Sequence, residues 1–189
     1  SSTSRGLGDV YKRQVSGSGS EAVSSLIEEE SLGEKLDSDY EKGFYDRPIA
    51  RNVIPLAGNL TENGYSDEEM KFVNESRKIL NIPELIVEPS NARVGVKTGH
   101  GIFCSATFEE ATDVQEAIGL IDSFDGVEYW KDKLPTPLDA EGNKKVLVGR
   151  MRNGLSDNRI LNFWAVSDNL LKGAALNAVQ IARYIVDND

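Results

Sequence analysis

The chain has 189 residues, 39% of them hydrophobic, and 21 lysines and arginines against 31 aspartates and glutamates give it a formal charge of −10. That balance is that of an ordinary globular protein; it argues against nonspecific attraction to nucleic acid or an anionic membrane surface, and no apolar run is long enough to span a bilayer. A single cysteine, Cys104, excludes an intrachain disulfide and, with no signal-peptide pattern at the start, sets a cytoplasmic expectation.

Asp9-Val10-Tyr11-Lys12-Arg13-Gln14 matches the translation of a transposon end used in sequencing-library preparation. Ser1 to Gln14 is therefore expected to be a non-native leader and is left out of the fold reading. Ser16 to Ser20 reads as a small-residue loop. Glu21 to Leu32 follows as a helix with Ala22, Val23, Leu26 and Ile27 on its apolar face. Gly33 to Asp46 is polar and acidic and predicts an exposed connection, and Ile49 to Ile54 a short strand ending at Pro55.

After a loop from Ala57 to Tyr65, Ser66 and Glu69 form the S-x-x-E capping box of the clearest helix. Met70, Val73, Arg77 and Leu80 follow at helical spacing, and Pro83 stops the segment. Arg93 to Lys97 and Ile102 to Phe108 predict extended runs flanking Gly99-His100-Gly101. Asp113 to Phe124 predicts an amphipathic helix with Val114, Ala117, Ile118 and Ile121 inward. Val127 to Trp130, Val146 to Met151 and Ile160 to Val166 predict strands, and Asn169 to Val186 a final alanine-rich helix. Strands separated by unequal helices predict an α+β fold with a mixed or antiparallel sheet and helices on one face.

The chemistry-bearing residues are few. His100, the one histidine, is suited to proton transfer near neutrality, and Arg93 offers a planar fork to a carboxylate. A histidine beside glycines is also an ordinary turn residue. Glu68 and Lys71 fall on neighbouring positions of one helix face, as a site pair or as a plain helical ion pair. Ser16 and Gly17 suit a close backbone approach to a ligand or a flexible linker. Asn169 suits a ligand contact or a helix cap beside Asp168. No metal-ligating constellation is visible.

Several motifs occur in a fixed order: Val15-Ser16-Gly17-Ser18-Gly19, Asn52-Val53-Ile54-Pro55, Glu68-Glu69-Met70-Lys71, Asn74 to Leu80, Arg93 to His100, Pro135-Thr136-Pro137-Leu138, Val148-Gly149-Arg150, Ser167-Asp168-Asn169 and Lys172 to Asn177. In that order, from Val15 to about Val186, they resemble the C-terminal half of bacterial aspartate-β-semialdehyde dehydrogenases, actinobacterial ones in flavour. The resemblance implies a glyceraldehyde-phosphate dehydrogenase-like C-terminal domain, catalytic and dimerising, over residues 15–166. It implies that the helix of residues 167–189 packs on an NADP-binding domain this chain lacks. The implied reaction is reduction of aspartyl-β-phosphate to aspartate-β-semialdehyde by NADPH with release of phosphate, in lysine, threonine and methionine biosynthesis, by a homodimer or higher homo-oligomer.

Carried over by motif, His100 is the acid/base, Arg93 the clamp for the substrate carboxylate, Glu68 the acceptor of its amino group and Lys71 the cation for phosphate. Ser16, Gly17 and Asn169 contact NADP. The family's nucleophilic cysteine and glycine-rich nucleotide loop would lie upstream of Val15, so the chain is expected to be an inactive fragment on its own. Cys104 reads as a small buried hydrophobe and not as that nucleophile. A substrate-binding glutamine of the family would fall at position 13, where the chain has Arg13; Gln14 is out of register and reads as a decoy. Gly99-His100-Gly101 also replaces the commoner Gly-His-Ser. The alternatives are the corresponding half of an N-acetyl-glutamyl-phosphate reductase and a dimerisation module without chemistry.

Overall fold

The computed structural model describes residues 4–36, 40 and 43–188. It divides into two compact units, one of Gly6–Lys97 and one of residues from Thr98 onward together with residues 4–5.

In the first unit a strand β1 (Ser4–Arg13) and a strand β3 (Ile86–Val94) run parallel, from Gly6 opposite Ile86 to Arg13 opposite Arg93. A two-residue strand β2 (Val53–Ile54) lies antiparallel on the other edge of β3, giving the order β2-β3-β1. Two outcomes differ from the sequence reading here. Residues set aside as a leader form a paired strand, and β3 begins at Ile86, before the expected Arg93. Both follow from one cause: the partner that holds Ile86 to Ser90 extended is β1.

Helix α1 (Ser20–Leu32) buries Ala22, Ser25, Leu26 and Glu29, while Ile27, expected inward, is 53% exposed. Glu29 sets that face. Its carboxylate accepts backbone N–H groups of Ile49 (2.6 Å) and Ala50 (2.8 Å), both buried where the chain turns and no strand partner is at hand. Residues 49–52 are accordingly not strand, contrary to expectation. Leu36, in the segment expected to be an exposed connection, is 2% exposed and joins Val15, Ala22, Leu26, Ile49 and Ala50 in a core. Helix α2 (Asp67–Leu80) starts on the capping box, with Ser66 Oγ accepting from Glu69 N and Glu69 Oε2 accepting from Ser66 N. It ends at Asn81, whose left-handed φ of 55° turns the chain toward Pro83.

The second unit has the strand order β4-β7-β6-β5, from β4 (His100–Phe108), β5 (Val127–Trp130), β6 (Val146–Asn153) and β7 (Ile160–Ser167). β4 and β6 each run antiparallel to β7, and β5 runs parallel to β6, so the sheet is mixed. Helix α3 (Val114–Asp122), capped by Asp113 Oδ1 on Glu116 N, packs Val114, Ala117, Ile118 and Ile121 against Val148, Met151 and Leu161. The alternation of β7 sends Trp164 and Val166 to the opposite face, with Leu147, Phe103 and Ala140 of the short helix α4 (Pro137–Ala140).

The final helix differs from its expected form at both ends. A π-turn over Leu171–Ala175 precedes helix α5 (Leu176–Asn188), which has no buried residue. Asp168, 4% exposed, caps the entrance by accepting from the N–H groups of Leu170 and Leu171. No helix of the described residues is long and apolar enough to cross a membrane.

Candidate functional site

Burial along β3 alternates, and Val87, Pro89, Asn91 and Arg93 share the inward face. Asn91 closes that face. Its side chain accepts from Ala57 N (2.9 Å) and donates to Ala57 O (3.0 Å) and Ser66 Oγ (2.7 Å), while its backbone N donates to Glu69 Oε1 (2.7 Å). The loop after β2 and the start of α2 are thereby tied to the strand that carries Arg93. Nothing in the sequence pattern singles out Asn91; only the tertiary pairing does.

Arg93 is 7% exposed. Its Nη1 donates to the Gln14 carbonyl at 2.8 Å, and its Cζ lies 5.9 Å from the centroid of the Tyr45 ring. Its Nε has no hydrogen-bond partner among the described residues. Burial pushes the guanidinium below its ordinary pKa; Tyr45 and Glu68 oppose that shift and Arg13 adds to it. A buried cation with an open donor is costly unless an anion comes to it. Arg93 lines a cleft of about 300 Å³ with Tyr45, Asp46, Arg47, Ile54 and Gly58, so that two cations and one carboxylate stand around it.

Gln14 is 2% exposed and its Oε1 also lacks a partner. The sequence reading dismissed it as out of register. The contact it makes to Arg93 is through its main-chain carbonyl, which any residue at that position would present. Gly17 lies in the 3-10 turn Val15–Ser18, where a Cβ would stand 3.4 Å from Gln14 Nε2 and 3.7 Å from Arg93 Nη1. Ser16 N donates to Lys97 O at 3.1 Å, and Tyr45 Oη donates to Ser18 Oγ at 3.0 Å, so this turn is pinned beside Arg93.

Glu68 and Lys71 both lie near the start of α2. Lys71 is exposed. The Glu68 carboxylate is taken up within the chain: its Oε2 is 2.7 Å from Arg13 Nη2, both side chains being about a quarter exposed. The contact is an ion pair whose angle is not that of a hydrogen bond. Arg93, Glu68, Gln14 and Gly17 thus gather in the first unit.

His100 and Asn169 belong to the second unit. His100 opens β4 opposite Ser167, half-buried, with a glycine on each side. Gly99 has φ +101°, and a Cβ there would come within 2.8 Å of Pro137. At Gly101 a Cβ would run into the Trp164 ring, which is fixed by its Nε1 donating to Pro135 O at 2.7 Å. The Gly-His-Gly sequence therefore has a packing cause. Asn169 Oδ1 accepts from Gly99 N at 3.2 Å and fastens the turn that presents His100. The capping role goes to its neighbour Asp168. Cys104 is half-buried, not fully buried as expected, and sits four residues along β4 from His100, roughly 13 Å away. Among the described residues, no group of three or more His, Cys, Asp or Glu could hold a metal.

A family model described as "Semialdehyde dehydrogenase, dimerisation domain" matches residues 11–172. Aspartate-semialdehyde dehydrogenase 2 of Vibrio cholerae is 38% identical over 178 residues, which cover 92% of this chain and 52% of that protein. The aspartate-semialdehyde dehydrogenase of Corynebacterium melassecola is 41% identical over 187 residues, 91% of this chain and 54% of that one. The solved structure of aspartate semialdehyde dehydrogenase II complexed with ASA, from Vibrio cholerae, superposes with a TM-score of 0.91 at 36% identity, over 97% of this chain and 55% of that one. The chain spans about half the length of these relatives.

Proposed function

The chain belongs to the semialdehyde dehydrogenase dimerisation-domain family, and on that premise we propose that it supplies the substrate-binding and proton-handling residues of an NADP-dependent aspartate-semialdehyde dehydrogenase. The whole enzyme would convert aspartyl-β-phosphate to aspartate-β-semialdehyde and release phosphate. The observation that carries this reading is Arg93, a buried guanidinium that lines a cleft and whose Nε has no hydrogen-bond partner among the described residues.

Arg93 binds the substrate carboxylate, because a planar guanidinium matches two carboxylate oxygens and its buried charge is best compensated by an anion. Lys71, exposed beyond the same helix turn, takes the phosphate as a compact point charge. His100 gives and takes the proton at the reacting carbonyl oxygen, held in place by the Gly99 turn and the Asn169 contact. Ser16, Gly17 and Asn169 are this chain's share of the NADP contact. Gly17 is exposed and without a side chain, so a flat ring can rest on its backbone. When bound, NADPH supplies the hydride. The nucleophilic thiol and the nucleotide loop come from the other half of the enzyme, on which α5 packs, and the second unit carries the homodimer surface. The setting is cytoplasmic amino-acid biosynthesis.

The test is a fusion of Val15–Asp189, in register, behind the nucleotide-binding half of the Corynebacterium relative. Activity is expected to return and to fall by about a hundredfold or more in His100→Ala, the scale of a general acid/base. Arg93→Gln should chiefly raise KM, and Cys104→Ala should leave the rate unchanged. The 189-residue chain alone should show no NADP-dependent turnover of the semialdehyde. A fusion that works equally well without His100 and Arg93 would overturn the assignment.

A further inference from the structure

We propose that Tyr45 is a positioning residue for Arg93, held against it by a staple from α1, and that it sets how tightly the cleft takes a substrate carboxylate. This rests on the reading of Arg93 as the carboxylate-binding residue and adds to it what keeps that residue in place.

The staple is a single buried carboxylate. Glu29 Oε2 accepts from the N–H groups of Ile49 and Ala50, and Glu29 Oε1 accepts from Ser25 Oγ at 3.3 Å. Ser25 Oγ in turn accepts from Phe44 N at 3.3 Å. The segment from Phe44 to Ala50 is thus tied to one helix at both ends, and Tyr45 stands between the ties. A Cβ on Gly43 would come within 2.8 Å of Ser25 Oγ, so a side chain there would push on the first tie. Tyr45 has three holds of its own. Its carbonyl accepts from Tyr40 Oη at 2.9 Å, its Oη donates to Ser18 Oγ at 3.0 Å, and the Phe44 ring meets it edge-on at 5.0 Å.

Over the ring held in this way lies the Arg93 guanidinium, with Cζ 5.9 Å from the centroid. Such a contact stabilises a desolvated cation without supplying a hydrogen-bond acceptor. Nη1 is held by the Gln14 carbonyl, and Nε, without a partner among the described residues, is left to a ligand. Tyr45 and Arg93 line the same cleft. A guanidinium oriented before binding loses less freedom when the carboxylate arrives.

The experiment titrates the intact, isotope-labelled 189-residue chain with L-aspartate, which carries the carboxylate and ammonium of the proposed substrate, and follows the Arg93 Nε–H signal by NMR. Tyr45→Leu is expected to weaken binding about tenfold, the scale of a desolvated cation–π contact. It should also remove the ring-current shift of that signal. Tyr45→Phe keeps the ring and should keep the shift, with binding within about threefold of the parent. Ser18→Ala removes the same hydrogen bond from its other side and should match Tyr45→Phe. Gly43→Ala should move the signal part of the way toward that of Tyr45→Leu. A Tyr45 that served only the fold would lower thermal stability and leave both signal and affinity in place.

A signal and an affinity that Tyr45→Leu leaves unchanged, while Arg93→Gln abolishes binding, overturn this inference alone. If Tyr45→Leu does not fold, Gly43→Ala carries the test, and an unmoved signal there overturns the inference. L-Aspartate binding that survives Arg93→Gln overturns the assignment of Arg93 and the inference with it, as does the absence of saturable binding to the parent chain.

Discussion

At Gly101 the side chain that is missing matters as much as the imidazole beside it. The Trp164 ring occupies the volume a Cβ would need, and its hydrogen bond to Pro135 keeps it from swinging away. Gly101→Ala is expected to lower stability by about 2 kcal/mol, the usual scale of overpacking. Gly119→Ala is the matched control. It lies in α3 with nothing within 4 Å of the added atom, so the same change should raise stability by up to about 1 kcal/mol. Urea unfolding of both variants checks the pair, and equal effects would remove the packing account of the Gly-His-Gly turn. The same scale shows what sequence could and could not reveal. His100 stands out as the one histidine, and Arg93 by the motif that leads to it. Asn91, Tyr45 and the carbonyl of Gln14 do not, because their roles come from chain segments brought together only by folding.

At the level of elements, α2 was legible because its start is written locally. Ser66 and Glu69 satisfy each other's backbone donors with no help from the rest of the fold. Ser66 is nonetheless fully buried, and its Oγ also receives Asn91 Nδ2. Ser66→Ala should therefore cost about 2 kcal/mol, at the upper end for a cap, since it also strips a partner from a buried amide. Asp67 beside it is held below the ordinary carboxylate value of 3.8, first by the Asn59 side chain and then by the Asn59 backbone. A carboxylate with a depressed folded value stabilises the fold above its unfolded value, and that contribution is lost as pH falls through the folded one. Asp67→Asn should thus flatten the stability profile below about pH 4, as followed by acid titration under circular dichroism. By contrast the extent of β3 and the inward face of α1 were only partly legible. The strand depends on a distant partner, and the helix turns its polar Glu29 inward to serve two backbone donors that periodicity does not register.

For the whole molecule, the mixed sheets and the inward face of α3 were readable from alternation and helical spacing, whereas the apolar circumference of α5 taken alone would have buried it, and only the resemblance implied an open face. That helix carries Val179, Ile181, Ile185 and Val186, each at least half exposed. Membership of a dimerisation-domain family together with this apolar surface leads to an expectation of self-association. Light scattering at tens of micromolar should report a dimer or larger species, and Ile181→Glu with Ile185→Glu should suppress growth beyond the dimer. A clean monomer under those conditions would contradict the expectation.

β1 has one more consequence. Its hold on β3 runs through main-chain amides and carbonyls, which are alike for nearly every residue type, so the groove beside Ile86–Val94 reads shape and not identity. A slot of that kind tolerates a borrowed occupant. A chain beginning at Val15 would leave the edge of β3 bare and prone to recruit a foreign strand, and a short synthetic peptide offered in its place could dock there and restore the missing rung.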